Sequence, residues 1–427
     1  MGLLIKGGWV IDPAQDLDHP RDLYIDGDRI SALELPGVIS PEAHQVIEAE
    51  GLVVSPGLID LHTHLREPGQ EYKETIATGG QAAAWGGFTA VTAMPNTHPV
   101  NDSAVVTRYI LAKAREAGGP RVYPVGAISA GSQGVALSEY GDLKDAGIVA
   151  CSDDGRPVMN SLLMRRALEY ARTFDLLIIS HCEELDLGAG GVMHEGLVSL
   201  QLGLRGLPAA AEEVMVFRDL TLARLTGGRL HIAHVSTAGS VELIRRAKKD
   251  GIPVSAETAP HYFSLTDEAV RGFNTHAKMY PPLRQARDVQ AIRAGLADGT
   301  LDCIATDHAP HSSLEKEVEF EQAANGIVGL ETALGLILKL VQEGVLTLSE
   351  AINKMSTAPA RILGVPGGNL RPGSPADVTL IDPAHSWQVD VHQFKSKGRN
   401  SPFHGWELPG RAVMTIVGGK IIYSLSQ

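Results

Sequence analysis

The stretch SPGLIDLHTHLREPG, Ser55 to Gly69, decides how the rest of the chain is read. An apolar run with the composition of a buried strand ends in two histidines, an arginine and a glutamate. Side chains at i and i+2 of a strand share a face, so His62 and His64 point the same way and can grip one ion together. A His-x-His pair alone is a weak signal. What gives it weight is the company it keeps further along the chain.

Seven more apolar, β-rich runs follow: FTAVTAMPN, RVYPVGAIS, GIVACSDDG, LLIISHCEE, LHIAHVST, IPVSAETAPH and LDCIATDHAP. Helical text lies between several of them. NDSAVVTRYILAKAREAGG opens on Asn101 and closes on Gly118, NSLLMRRALEYARTF opens on Asn160, and TAGSVELIRRAKKDG stops at Gly251. Apolar strands alternating with helices predict an α/β fold, a parallel (β/α)8 TIM barrel. An open doubly wound sheet uses the same alternation. The chemistry favours the barrel, because nearly every run ends in polar ligand types: His62 and His64, Asn96, Asp153 and Asp154, His181, His234, His261, and Asp307 with His308. In a barrel these carboxyl ends converge on one face, where barrel active sites sit.

The two ends of the chain have another texture. Residues 2–53 and the tail from about 366 read as short alternating runs broken by Gly, Pro and Asp. Chain termini often lie close together. The expected organisation is therefore a composite β-sandwich domain, residues 1–54 plus 366–427, around a barrel domain of residues 55–365.

Composition narrows the function. The 427 residues carry 37 basic and 50 acidic side chains, a net charge of -13, with no basic footprint for nucleic acid or anionic membrane. A small molecule is the expected partner. No apolar run has the length of a membrane-spanning helix, and the opening MGLLIKGGWVIDP lacks the order of a signal peptide, so the cytoplasm is the expected compartment. The 3 cysteines, Cys151, Cys182 and Cys303, are too few and scattered for a disulfide framework and read as small buried apolar residues. VPGGNLRPG lacks the preceding strand and following helix of a phosphate loop.

The ligand inventory is His62, His64, His181, His234, Asp307 and either Asp153 or Asp154. That is too large for one closed four-ligand site. It suits two divalent ions sharing a carboxylate and a water, and imidazole with carboxylate donors favours zinc. His261 and His308 are not needed to complete it and read as supports for their loops. Arg66 has a planar fork suited to a substrate carboxylate.

Taken together, GLIDLHTHLREPG, TAMPNT, SDDG, SHCE, AHVST, ETAPHY and ATDHAPH resemble the amidohydrolase superfamily and, within it, the type I dihydroorotases of the bacterial pyrimidine pathway. The resemblance implies reversible closure of N-carbamoyl-L-aspartate to L-dihydroorotate plus water. It assigns His62 and His64 to a first zinc ion and His181 and His234 to a second. Asp307 would bind the first and act as general base and acid. It favours Asp154 over Asp153 as the bridging ligand, since the fourth run offers no lysine for the carboxylated-lysine bridge of many relatives. Arg66, Asn96 and His311 would hold the substrate carboxylate, with His64 beside them and Asn325 and Gly326 against the ring. Tyr280 stands where the family writes asparagine, a departure that bears on ring recognition. The charged segment after His311, SSLEKEVEFEQAANG, reads as a mobile lid. Hydantoinases, dihydropyrimidinases and allantoinases share this chemistry but normally carry the bridging lysine. A catalytically silent scaffold for aspartate transcarbamoylase would be expected to lose ligands that are present here. That enzyme remains an expected partner of an active chain, and a homodimer is the expectation on base rates.

Overall fold

The computed structural model describes residues 2–41 and 44–425. Eight parallel strands, Leu58–Asp60, Phe88–Ala93, Arg121–Gly126, Ala150–Ser152, Leu177–Ser180, Leu230–Ile232, Val254–Thr258 and Cys303–Ile304, form one sheet in which each neighbours the next in sequence. A doubly wound sheet would reverse its order part-way. Here the order never reverses, and the seam is drawn together: Thr63 bridges His308 in parallel, and the His64 amide donates to the His308 carbonyl at 2.9 Å. Asp60 adds a side-chain tie across the same seam, accepting from the Thr306 amide at 3.0 Å and its hydroxyl at 2.5 Å. The sheet is a near-closed barrel.

The strands are short and mostly buried, as a sheet covered on both faces requires, with half-buried positions only toward the starts of Arg121–Gly126 and Val254–Thr258. Ile59, Ala90, Val125, Ala150, Ile179 and Ala305 pack as one cluster with Ala358, Ile362 and Leu363 of the helix Ala358–Leu363. Outside run the helices Ile76–Trp85, Ala104–Ala117, Ser161–Thr173, Ala210–Thr226, Ala238–Lys249, Ala286–Ala297 and Ala333–Gln342. Asn160 caps its helix as read, accepting from the amides of Leu162 and Leu163. Asn101 does not. Its amide donates to the Val125 carbonyl and accepts from the Thr107 hydroxyl, both at 2.8 Å, so the helix begins later with Ser103 at the cap position.

The terminal segments build a single mixed sheet. Gly2–Asp12 pairs antiparallel with Leu17–Asp26 and parallel with His44–Glu48 and Val53–Pro56. Val53–Pro56 joins the two ends of the chain by pairing antiparallel with Val378–Gln388, which continues to Glu407–Val417 and Lys420–Ser424. The far edge, Arg29–Glu34, turns back to meet Pro375. Leu23, Ile25, Val54, Leu370, Val378 and Ile416 therefore share a core separate from that of the barrel. Only Gly57 separates Val53–Pro56 from the first barrel strand, so the terminal sheet fixes where the strand leading to His62 begins.

Candidate metal centre

His62, His64, Asp154, His181, His234 and Asp307 all emerge just past the carboxyl ends of barrel strands and are all buried. Asp154 sits at the middle. Its Oδ1 lies 3.3 Å from His62 Nε2 and 3.5 Å from both His181 Nδ1 and His234 Nε2, while its Oδ2 lies 3.5 Å from His64 Nε2. Asp307 Oδ1 lies 3.2 Å from His64 Nε2 and 3.6 Å from His62 Nε2. Asp153 turns away, accepting from the amide and hydroxyl of Ser129. It ties a loop rather than joining the cluster.

The outer nitrogens of three imidazoles are held by oxygen partners. His62 Nδ1 meets Glu257 Oε1 at 2.8 Å, His64 Nδ1 meets Asn96 Oδ1 at 2.9 Å, and His181 Nε2 meets Glu183 Oε2 at 3.4 Å. Such partners fix ring orientation and leave the inner nitrogen as the free donor. Three residues of this wall have left-handed backbones, Arg66 (φ 60), His234 (φ 34) and Asp307 (φ 48). Conformations of that kind cost on the order of 1–3 kcal/mol each and gather at functional sites.

Electrostatics shows what the cluster calls for. Burial alone would raise both carboxyl groups. Instead Asp154 is held well below the usual carboxylate range by His62, His181 and His234, and Asp307 is lowered by His62 and His64. These contacts overcome burial at two of the imidazoles, raising His62 and, with Glu183, pushing His181 up to about 9, whereas burial holds His64 below its usual value. Positive charge is required at these inner nitrogens, and protons supply it only in part. His62 Nε2 and Asp154 Oδ1 remain buried without a hydrogen-bond partner. The ligand atoms of His62, His64 and Asp307, and those of His62, Asp154 and His234, lie within 4.8 Å of one another. Imidazole and carboxylate donors converging in this way fit divalent cations.

Over the cluster opens a cavity of about 280 Å³, bordered by His64, Arg66, Asn96, Tyr280, His311 and Asn325 together with Asp154, His181, His234 and Asp307. Arg66 is buried, not paired at the surface, and its Nε donates to the Pro310 carbonyl at 3.2 Å. His311 Nε2 donates to the Asn325 carbonyl at 2.8 Å, and burial with the charges of Arg66 and Lys73 drives this imidazole down to about 2, so it is neutral. Asn96 is committed at both ends, its carbonyl to His64 and its amide donating to Asp154 Oδ2 at 3.2 Å. The Tyr280 hydroxyl donates to Glu183, and its ring stacks on His181 at 6.0 Å.

Several expectations need adjusting. Gly326 does not border the cavity: its amide donates to the Lys278 carbonyl at 3.0 Å, and its carbonyl accepts from Asn400 at 2.9 Å. At φ 152, with a Cβ predicted to fall 2.6 Å from the Ala309 carbonyl oxygen, only glycine fits there. Its role is to let the chain pass. The segment after His311 is anchored, with a capping box between Ser312 and Glu315 and Lys316 turned into the protein. His261 is buried and lowered to about 4 by burial, outside both ligand groups. His308 accepts from the Gly329 amide and faces Glu74 at 3.4 Å. All three cysteines are buried; Cys182 Sγ faces Ser180 and Asp219, while Cys303 falls with His231 and Glu257 in a third group of ligand-type side chains. Glu257 and Glu183 carry no mark in the sequence reading, although both support metal-type histidines.

A family described as Dihydro-orotase-like matches residues 51–240, and the amidohydrolase family matches residues 202–423. The chain is 58% identical over 424 residues to a dihydroorotase of Syntrophus aciditrophicus, spanning 99% of each. It is 57% identical over 423 residues to one of Geobacter metallireducens, spanning 99% of this chain and 100% of that one. This chain belongs to the dihydroorotase family. Among solved structures, the L-hydantoinase of Arthrobacter aurescens superimposes with a TM-score of 0.89 at 25% identity, covering 99% of this chain and 96% of that one. The D-hydantoinase of a Thermus species gives 0.83 at 25%, covering 100% and 96%. Dihydroorotases and hydantoinases thus share the architecture, and sequence identity separates them. The fourth strand ends at Ser152 and leads into Asp153 and Asp154, with no lysine.

Proposed function

We propose that this dihydroorotase-family enzyme converts N-carbamoyl-L-aspartate reversibly to L-dihydroorotate and water in pyrimidine biosynthesis. The observation that carries the reading is full-length identity of 58% to a dihydroorotase. His62, His64 and Asp307 would hold one zinc ion and His181 and His234 a second, with Asp154 between them. Zinc bound there would lower the pKa of a water toward neutrality and polarise the ring carbonyl.

The remaining chemistry belongs to side chains of this chain. Asp307, ionised by its histidine neighbours and bordering the cavity, takes the proton of the attacking water and passes it to the departing ring nitrogen. In the cyclising direction the transfer reverses. Arg66 pairs with the carboxylate that takes no part in bond change, with neutral His311 beside it. Asn96 keeps His64 and Asp154 in register at the cavity's edge, Asn325 lines the same cavity against the ring, and Tyr280 offers its ring rather than its hydroxyl. We also propose the division into residues 1–54 plus 366–427 and residues 55–365, and a cytoplasmic homodimer with aspartate transcarbamoylase, the source of its substrate, as partner. No described helix is long and apolar enough to cross a membrane.

The test is turnover by purified protein reconstituted with zinc, on L-dihydroorotate and N-carbamoyl-L-aspartate beside hydantoin, dihydrouracil and allantoin, with a chelator-stripped control. Metal-dependent turnover confined to the first two is expected. Turnover of another ring would overturn the substrate assignment, and no turnover with metal bound would overturn the catalytic one.

A further inference from the structure

Behind His311 lies a second cavity, of about 170 Å³, whose wall includes Lys316, Lys397, Arg399, His276 and Asn400. Its charge is unusual in a chain of net charge -13. Lys316 is only 1% exposed, and its ammonium donates to the carbonyls of Ala324 at 2.7 Å, Gly326 at 3.3 Å and Lys278 at 3.5 Å. Lys397 donates to the Glu71 carbonyl at 2.7 Å, and Arg399 spends one nitrogen on the carbonyls of Ser396 and Gly398. Among the described residues, none of these three cations has a carboxylate oxygen within 4.0 Å. Glu315 is taken by Lys73 at 2.7 Å and by Ser312, which leaves Glu317 as the acid on this wall. His276 Nδ1, on the same wall, has no hydrogen-bond partner.

Burying an ammonium without a counter-charge is costly, and carbonyl dipoles offset only part of that cost. The cost is visible at Lys316, where burial and then the neighbouring Lys278 pull the ammonium down to about 7. A mobile anion would supply the missing charge. At about 30 Å³ per water the cavity has room for roughly six waters, which suits a phosphate-sized oxyanion.

We propose that this cavity is an oxyanion-binding site, for inorganic phosphate or a small carboxylate, distinct from the catalytic pocket and separated from it by His311. The partition has two faces. His311 Nε2 meets Asn325 and Arg66 on the catalytic side, and Nδ1 turns toward Lys73 and Glu315 on the other. An anion beside Lys316 favours its charged form and so tightens its hold on Ala324 and Gly326, the neighbours of pocket-lining Asn325.

Calorimetric titration of the zinc-loaded protein with inorganic phosphate, and separately with succinate, tests this. Saturable binding by at least one anion is expected, weakened at least tenfold in Arg399→Gln and further in Arg399→Gln/Lys397→Gln, with turnover retained in both variants. The tighter of the two anions names the ligand class. Phosphate also has affinity for metal ions, so binding unchanged in the single variant would place the anion on the metal centre and overturn the proposal. So would the absence of saturable binding by either anion. The single variant keeps the test valid if the double one does not fold.

Discussion

Glu257 Oε1 lies 2.8 Å from His62 Nδ1. The other carboxylate oxygen lies 3.2 Å from His231 Nε2, and these two histidines hold Glu257 down at about 2 although burial alone would raise it. An ionised Glu257 accepts from Nδ1–H of His62, which turns Nε2 toward Asp154 as the atom that binds a cation once its proton is displaced. Glu257→Gln removes the charge that enforces this arrangement. Metal affinity is expected to fall about 10- to 100-fold, the usual effect of losing an outer partner of a metal-binding histidine. Chelator competition measures it. Unchanged affinity would show that His62 needs no such support.

The adjacent aspartates should separate cleanly. Asp154→Asn is expected to abolish metal retention and activity together, since one carboxylate serves four imidazoles. Asp153→Asn loses charge-assisted hydrogen bonds to Ser129, a cost of about 1–3 kcal/mol in stability, and keeps its metal. Asp307→Asn should retain metal on the remaining ligands and lose about 10²- to 10⁴-fold in kcat, the range for general acid–base groups. Metal analysis and kcat on the same preparations decide all three. A metal-free Asp153→Asn protein would reverse the reading of the pair.

The barrel was legible because nearly every apolar run ends in a polar residue whose type makes no sense in a core. His62, His181 and Asp307 stand out for that reason. Glu257 was passed over in the same run that drew attention to His261, although strand alternation within VSAET turns a carboxylate into a buried interior. A charge inside an apolar strand is a signal, but its partner His62 is 195 residues away and no local pattern connects them. Gly326 and Asn96 carry commitments that no local pattern reveals. Their backbone and amide groups looked free for substrate, and only tertiary packing shows them already committed to Lys278, Asn400, His64 and Asp154.

Tyr280 tests whether a hydroxyl on the cavity wall is available. It donates to Glu183, which in turn faces His181 Nε2 at 3.4 Å. Tyr280→Phe keeps the ring and leaves a buried carboxylate without that donor, so a loss of about 1–3 kcal/mol in stability is expected. KM for dihydroorotate should stay nearly constant. A tenfold rise in KM, about 1.4 kcal/mol, would mean that the hydroxyl leaves Glu183 for the substrate.

Metal uptake should release protons. Burial opposes charge on His181, but the Asp154 and Glu183 carboxylates push it from 6.5 to about 9, and His62 is raised by Asp154 and Asp307. In chelated protein these imidazoles hold protons that bound cations must displace. Because the folded-state value of His181 lies above its unfolded one, its stabilising contribution is complete below about 6.5 and is lost as pH rises through about 9. Asp154 and Asp307 work the other way: their contribution is present above 3.8 and lost as pH falls through their lowered values. Within the cluster, Asp154 and Asp307 stay ionised between pH 6.5 and 9 and the histidines change, so the difference between chelated and zinc-loaded protein isolates them from Asp60, Lys316 and Glu331, which lie near 7. The Tm of chelated protein should therefore fall across that window, while zinc-loaded protein should not follow it. Calorimetry on both forms, with zinc titrations at pH 7.5 in buffers of different ionisation enthalpy, measures the two effects together. A flat Tm for the chelated form with no proton release would mean that the cluster is neutral before metal binds, and that Asp154 does not hold its histidines charged.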